Sequence, residues 1–281
     1  MRKKAGRLIS SIMKLFIFVA IGGVFIYFIQ DRMIFHHVMD HRSREFLQDL
    51  PEFHEVEFVA ETGKTHHGVM RMHSNAVAPL VIYFGGNGEV SYQHMRSRQM
   101  LDMWQYFYGY HYLFLDYDGY GLNSGRTHYR NMYETALAAY EFALSHPYVD
   151  SSNIVVMGFS LGTSSAVYLA ANRDVSGLIL MAPYANGYDL YNSVLPIFRG
   201  PMRFLVRQKL PSDYYAPNVS SPVLVIASRA DEIVPFSSAV SLADAFLVEV
   251  DFVELDGASH NGMFDNDKVL DSIHNFLSNR K

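Results

Sequence analysis

Apolar residues fill the chain almost without interruption from 8 to 29; only Ser10, Ser11 and Lys14 break the run. As a helix, such a run rises about 33 Å, enough to cross the hydrocarbon core of a bilayer. Five basic residues, Arg2, Lys3, Lys4, Arg7 and Lys14, lie towards its N-terminal side, and only Asp31 and Arg32 follow closely. The positive-inside bias therefore predicts a basic cytoplasmic tail at 1–7, a transmembrane signal anchor at 8–30 and a single-pass topology with the rest of the chain on the non-cytoplasmic side. A cleavable signal peptide and a buried or interfacial helix are the rival readings. Against cleavage, bulky Phe25, Ile26, Tyr27, Phe28 and Ile29 stand where a cleavage site needs small residues. Residues 31–52 read as a juxtamembrane connector. Their His36, His37 and His41, followed by Arg42 and Arg44, read as a solvated stretch rather than a metal site.

From 53 onward the period changes. Strand-like runs at 53–60 and 66–73 flank the turn Glu61-Thr62-Gly63-Lys64 and predict a hairpin. On such a strand the adjacent His66 and His67 point to opposite faces, so they cannot chelate one ion together. Short apolar runs follow at 79–84, 111–115, 153–157, 177–182, 222–227 and 249–255. Helical patterns fall between and after them, at 91–106, 131–145, beyond 162, and at 237–247 and 265–278. Buried strands alternating with helices predict an α/β domain over 53–281: an eight-stranded, mostly parallel sheet with helices on both faces. The segment 183–218 is too long for an ordinary connection. It carries Tyr184, Tyr188, Tyr191, Leu195, Phe198, Phe204, Leu205, Tyr214 and Tyr215. Two readings stay open for it: a small cap lining an apolar substrate pocket, or a plain cover for the sheet.

Composition narrows the chemistry. About half of the 281 residues are apolar (49%), so a large core is available, and the net charge of −5 gives no electrostatic case for nucleic acid. The chain has no cysteine, which removes disulfides, thiol nucleophiles and cysteine-based zinc sites together.

The segment that organises the rest is Gly158-Phe159-Ser160-Leu161-Gly162, lying between an apolar strand and a helix rich in small residues. A G-x-S-x-G turn in that setting is a nucleophile elbow, which lifts the serine Oγ above the sheet edge. Ser160 needs a base, and His260 directly follows the last predicted strand. The base needs an orienting carboxylate, and Asp231 directly follows the strand before it, with Glu232 and the remoter Asp256 as competitors. The chain order Ser160, Asp231, His260 matches that architecture. The oxyanion of a tetrahedral intermediate needs two main-chain donors. Leu161 N–H is one; the Gly-rich loop Gly85-Gly86-Asn87-Gly88 supplies the other, assigned to Asn87.

With these motifs in place, the chain resembles the α/β-hydrolases, and within them the membrane-anchored Bem46-like serine hydrolases. That group carries an H-G-N-x loop, a D-Y-R-G-Y-G-x-S-x-G loop, the elbow, a D-x-x-V-P acid loop and an S-H-N base loop. The counterparts here are Gly85-Gly86-Asn87-Gly88, then Asp116-Tyr117-Asp118-Gly119-Tyr120-Gly121-Leu122-Asn123-Ser124-Gly125, the elbow, Asp231-Glu232-Ile233-Val234-Pro235 and Ser259-His260-Asn261. Gly85 replaces the group's histidine and Asp118 its arginine. The resemblance implies an α/β-hydrolase fold with 183–218 as a small cap, and serine hydrolysis more than any one substrate. The apolar side chains of 183–218 and the anchor point to acyl esters or thioesters, and the triad mechanism needs no cofactor or metal. The expected partners are a small acyl-ester or lipid-like substrate and the membrane. A serine peptidase on the same triad, and a non-catalytic membrane-tethered binding module, are the competing functions.

Overall fold

A computed structural model of the protein describes residues 2–39, 43–47, 50–92, 107, 109–194, 196–198 and 200–280. The helix expected at 91–106 lies outside the described residues beyond Tyr92, as do His41, Arg42 and Leu195.

The first element is α1 (Arg2–Ile34), longer than the apolar run and continuous with it at both ends. Within it, Ser10–Arg32 is long and apolar enough to cross a membrane. Its large side chains, including Phe16, Phe18, Phe25 and Phe28, are exposed around the helix. A helix that is apolar all round suits lipid rather than water. A short α2 (Ser43–Leu47) leads into the sheet.

Among the described residues the sheet has eight strands: β1 (Phe53–Val59), β2 (Thr65–Arg71), β3 (Ala78–Phe84), β4 (His111–Leu115), β5 (Val149–Phe159), β6 (Gly177–Met181), β7 (Val223–Ser228) and β8 (Val250–Leu255). Their order across the sheet is β1-β2-β4-β3-β5-β6-β7-β8. β1 and β2 form the expected antiparallel hairpin, and β2 also runs antiparallel to β4. Every pairing from β4 to β8 is parallel. Most strand bounds fall within a residue or two of those read from the apolar runs. The exception is β5, which starts earlier because Val149 pairs with Ala78 through a register shift.

The central strands are apolar throughout because both of their faces are covered. On β5, Val155, Met157 and Phe159 join one buried cluster while Ile154 and Val156 join the other. The helices that build these two layers are α3 (Tyr129–Ser145), α4 (Thr163–Asn172), α7 (Phe236–Ala243) and α8 (Asp267–Ser278). α3 begins two residues before the Ala-rich pattern because His128 caps it, accepting from Arg130 N–H at 3.2 Å. Between β6 and β7 lie α5 (Gly187–Val194), a 3₁₀ turn at Gly200–Leu205 and α6 (Ser212–Tyr215).

That segment divides between its two readings. Tyr184, Tyr191 and Phe198 are buried in the core, whereas Phe204 and Tyr214 are exposed. The connector after α1 is also less solvated than its polarity suggests. Phe35 is buried, and Gly121 N–H donates to Val38 O at 2.7 Å. His36 and His37 do face solvent.

Candidate active site

β5 ends at Phe159, and the chain turns at once into a 3₁₀ turn, Ser160–Gly162, that opens α4. The turn is so tight that Ser160 has φ +48°, in the left-handed region where a side chain is strained. Space at its flanks explains the glycines. A Cβ on Gly162 would stand 2.0 Å from Phe84 O, and one on Gly158 would stand 2.8 Å from Gly162 O. The helix therefore packs directly onto the backbone of β3, which a larger residue would prevent.

Two buried tyrosines hold this corner. Tyr184 donates to Leu161 O at 3.0 Å, and Tyr117 donates to Gly85 O at 2.9 Å. Burial pushes both phenols well above their usual pKa, so they remain neutral donors. The sequence pattern leaves Tyr184 open between pocket lining and cover for the sheet; its place is under the elbow.

The loops that carry Asp231 and His260 leave β7 and β8 side by side. Asp231 Oδ2 lies 2.8 Å from His260 Nδ1, and both side chains are almost fully buried. Asp231 Oδ1 accepts from the main-chain N–H groups of Ile233 and Val234, each at 2.8 Å. The carboxylate is thus fixed by its own loop and turned towards the imidazole. Glu232 takes a different part, accepting from His260 N–H at 3.0 Å. Ser228 joins the two loops through a 2.6 Å bond from its hydroxyl to Ala258 O.

Phe159 brings these parts to the elbow. Its ring lies 4.9 Å from that of His260 and 4.7 Å from that of Phe264, centroid to centroid. On the side of the Gly-rich loop, a Cβ on Gly86 would stand 2.9 Å from the same ring. The residue before Ser160 therefore touches His260 on one side and the Gly-rich loop on the other.

In that loop, Gly86 N–H is already committed to the Glu89 carboxylate, whereas Asn87 N–H has no hydrogen-bond partner among the described residues. Leu161 N–H belongs to the first turn of a helix, where main-chain donors lack intrahelical acceptors. The Asn87 side chain is occupied elsewhere: its carbonyl oxygen accepts from Tyr120 at 2.7 Å and from His36 N–H at 2.9 Å, and its amide donates to Ile34 O.

Both departures from the family pattern have local compensation. Beside Gly85, the Glu89 carboxylate lies 3.0 Å from where a Cβ would be, so it fills space a larger residue would need. Glu89 also accepts from the buried Tyr83 hydroxyl at 3.1 and 3.2 Å. Asp118 is buried, pairs with Lys64 at 2.5 Å and accepts from Asn131 at 3.0 Å. Sequence reasoning passed over Glu89; its signal was a carboxylate three residues after a glycine whose N–H needed an acceptor.

Away from the elbow, ligand atoms of Glu55, Glu57 and His67 lie within 4.8 Å of one another on the β1–β2 hairpin. Glu55 is engaged there by Arg44 through two bonds of 2.8 and 2.9 Å. The hairpin is separated from β5 by β4 and β3, so this group is not part of the elbow.

Residues 121–271, more than half of the chain, match the family model described as serine hydrolase. The chain belongs to that family, and its sheet is that of an α/β-hydrolase. Its resemblance to the Bem46-like group is consistent with the match. An uncharacterized Mycobacterium tuberculosis protein, Rv2307c, is 34% identical over 168 residues, 59% of each chain. The human alpha/beta hydrolase domain-containing protein 17C is 30% identical over 163 residues, 58% of this chain and 48% of its own. The matched part thus spans only about half to three-fifths of these relatives. Among solved structures, the Pyrococcus furiosus esterase Pf2001 superposes with a TM-score of 0.70 at 17% identity, covering 88% of this chain and 99% of that one. An acetyl xylan esterase from Paenibacillus sp. R4 gives 0.67 at 14% identity, covering 90% and 99%. At such identities the likeness concerns the fold.

Proposed function

We infer that the protein is a membrane-anchored serine hydrolase that cleaves acyl esters or thioesters through an acyl-enzyme on Ser160. The observation that carries this reading is the 2.8 Å His260–Asp231 bond, closed against the aromatic residue that precedes a strained Ser160. His260 Nε2 takes the Oγ proton as Oγ attacks the substrate carbonyl carbon. Asp231 holds the imidazole with Nδ1–H towards itself and stabilises the imidazolium that forms. Main-chain N–H groups of Leu161 and Asn87 stabilise the tetrahedral oxyanion, each by about 3 kcal/mol. The imidazolium then protonates the leaving oxygen or sulfur as its bond to carbon breaks. Water repeats the cycle on the acyl-enzyme, releasing the acid and restoring Ser160.

The ester or thioester preference, with an apolar acyl chain, is supported by the aromatic side chains of 183–218 and by the anchor, which keeps the site near lipid. Each buried methylene contributes about 0.8 kcal/mol to binding such a chain. The anchor is supported by the length and all-round apolar surface of Ser10–Arg32. The basic residues before it support a non-cytoplasmic catalytic domain.

The test is to profile the full-length protein against esters, thioesters and amides of graded acyl length, with a fluorophosphonate probe reporting the nucleophile. Labelling lost in Ser160→Ala, with kcat/KM rising and then falling as the acyl chain lengthens, is the expected result. Labelling that survives the substitution removes Ser160 from the role. Faster turnover of peptide amides than of matched esters replaces the esterase reading with a peptidase.

A further inference from the structure

The end of α1 is built into the cap. Gln30 is fully buried; its amide donates to Leu205 O at 2.9 Å and its carbonyl oxygen accepts from Arg207 N–H at 2.9 Å. Asp31 pairs with Arg207 at 2.9 Å and accepts from Gln208 at 2.8 Å. The Arg207 guanidinium lies over the Tyr27 ring at 5.1 Å. A charged pair stacked on a tyrosine belongs at headgroup level, where amphipathic rings collect. Tyr27 therefore marks the membrane surface on α1.

The cap reaches below that mark. Leu205 Cδ1 lies 3.8 Å from where a Cβ would stand on Gly23. Gly23 is four residues before Tyr27, about 6 Å further into the bilayer along the helix. Gly22, Gly23 and Ile26 are partly covered on this side of α1. On the same 3₁₀ turn as Leu205, Phe204 is 75% exposed. That depth is the one amphipathic surface elements reach when they lie in the boundary between headgroups and acyl chains.

Charge completes the surface. Beside the last turn of α1 runs a groove of about 530 Å³, walled by Phe28, Ile29, Arg32, His37, Arg126 and Arg207, with Asp31 also on its rim. Three guanidinium groups against one carboxylate leave a net +2 at its rim. Arg207 is taken by Asp31, whereas Arg32 and Arg126 have no acidic partner among the described residues. An apolar wall of Phe28 and Ile29 beside arginines that have no acidic partner among the described residues, just above Tyr27, is what an anionic phospholipid headgroup would complement.

We propose that the turn Gly200–Leu205 inserts into the bilayer beside α1 as a second membrane contact, and that the adjoining groove binds the headgroup of an anionic phospholipid. The proposal rests on the reading of α1 as a membrane span. It gives the cap a partner of its own, independent of the catalytic residues.

The chain has no cysteine, so single cysteines can be placed for an environment-sensitive dye without background. Three full-length variants serve: Phe204→Cys on the turn, Phe16→Cys within the span and Leu247→Cys on a solvent-facing loop. Each is reconstituted into phosphatidylglycerol or phosphatidylcholine vesicles, with fluorophosphonate labelling as the check of folding. Dye at Phe204 is expected to be quenched by lipid-borne nitroxides within about twofold of dye at Phe16, and by aqueous iodide about fivefold less than dye at Leu247. Its protection from iodide is expected to be greater in phosphatidylglycerol, and the difference is expected to disappear when Arg32→Gln and Arg126→Gln are added. If dye at Phe204 behaves like dye at Leu247 while dye at Phe16 is lipid-quenched, the second contact is overturned and the anchor stands. If dye at Phe16 is also open to iodide, the anchor and the second contact fall together. Equal protection in both lipids, unchanged by the arginine substitutions, overturns the headgroup site.

Discussion

Glu232 holds the backbone of His260 while its neighbour Asp231 holds the ring. The main-chain N–H of His260 donates to Glu232 Oε2 at 3.0 Å, and the imidazole Nδ1 meets Asp231 at 2.8 Å. The two adjacent carboxylates are therefore not interchangeable. Asp231→Asn is expected to lower kcat by about 10⁴, because an amide favours the wrong imidazole tautomer. Glu232→Gln keeps an acceptor for the N–H and is expected to stay within about fivefold of wild type. Steady-state kinetics on one ester decides between them, and the opposite ranking would move the acid role to Glu232.

The same bond predicts a pH effect on stability. The His260 N–H, more than any other group, lowers the Glu232 pKa below the usual carboxylate value of 4.5. A lowered folded-state pKa means that the ionised form is favoured by folding. Its contribution is complete above about pH 4.5 and is lost as pH falls through the lowered value. Melting temperatures of wild type and Glu232→Gln should differ most near neutrality and converge in acid. A gap that widens on acidification would contradict the sign.

Strain at Ser160 gives a third expectation. With φ at +48°, any side chain here is disfavoured and glycine is not. Ser160→Gly and Ser160→Ala should both be inactive, but the glycine variant should be the more stable of the two by about 1 kcal/mol. That order reverses the usual one for the start of a helix. Urea denaturation of the pair measures it, and a more stable alanine variant would argue against a strained turn.

Glu89 should affect rate more than affinity. Glu89→Ala would release Gly86 N–H and leave the buried Tyr83 hydroxyl without this acceptor. Losing one acceptor at a buried hydroxyl costs about 1 kcal/mol. The loosened loop would present Asn87 N–H less well to the oxyanion, so kcat is expected to fall about 10- to 100-fold with KM little changed. Glu89→Gln retains an acceptor and should recover most of the rate. A change confined to KM would instead place Glu89 in substrate binding.

Topology can be read in sealed vesicles of known orientation. Protease added on the non-cytoplasmic side is expected to digest the catalytic domain and to leave the basic tail protected. Digestion only from the cytoplasmic side would invert the topology.

The parts of this molecule that were legible in its sequence are those governed by local pattern. β3, β4, β6 and β7 are short apolar runs because each is buried on both faces, and such runs need no partner to be recognised. The elbow was legible for a related reason: Gly158 and Gly162 answer to contacts within a few residues of Ser160, or to the adjacent strand. What the pattern did not carry was long-range hydrogen bonding. Nothing local ties Gln30 to Leu205, 175 positions away, or Asn87 to Ile34. The connector after α1 therefore read as solvated although its backbone closes against the domain. The cap was undecidable for another reason. An aromatic residue obeys the same period whether it is buried in the core, as Tyr184 is, or left exposed by the domain, as Phe204 is.

Phe159 has a consequence for the order in which the protein becomes functional during synthesis. Its ring waits for His260 and Phe264, about a hundred positions later in the chain, and His260 follows β8, the last strand of the sheet. The chain is made from its N-terminus and a domain folds as a unit, so α1 and the elbow segment are synthesised well before His260. A nascent chain that stops before β8 thus carries the elbow segment without the His260 and Phe264 rings that pack on Phe159. If His260 is the base proposed above, a chain interrupted anywhere before the final strand is inactive, and activity arrives only with the last part of the sheet.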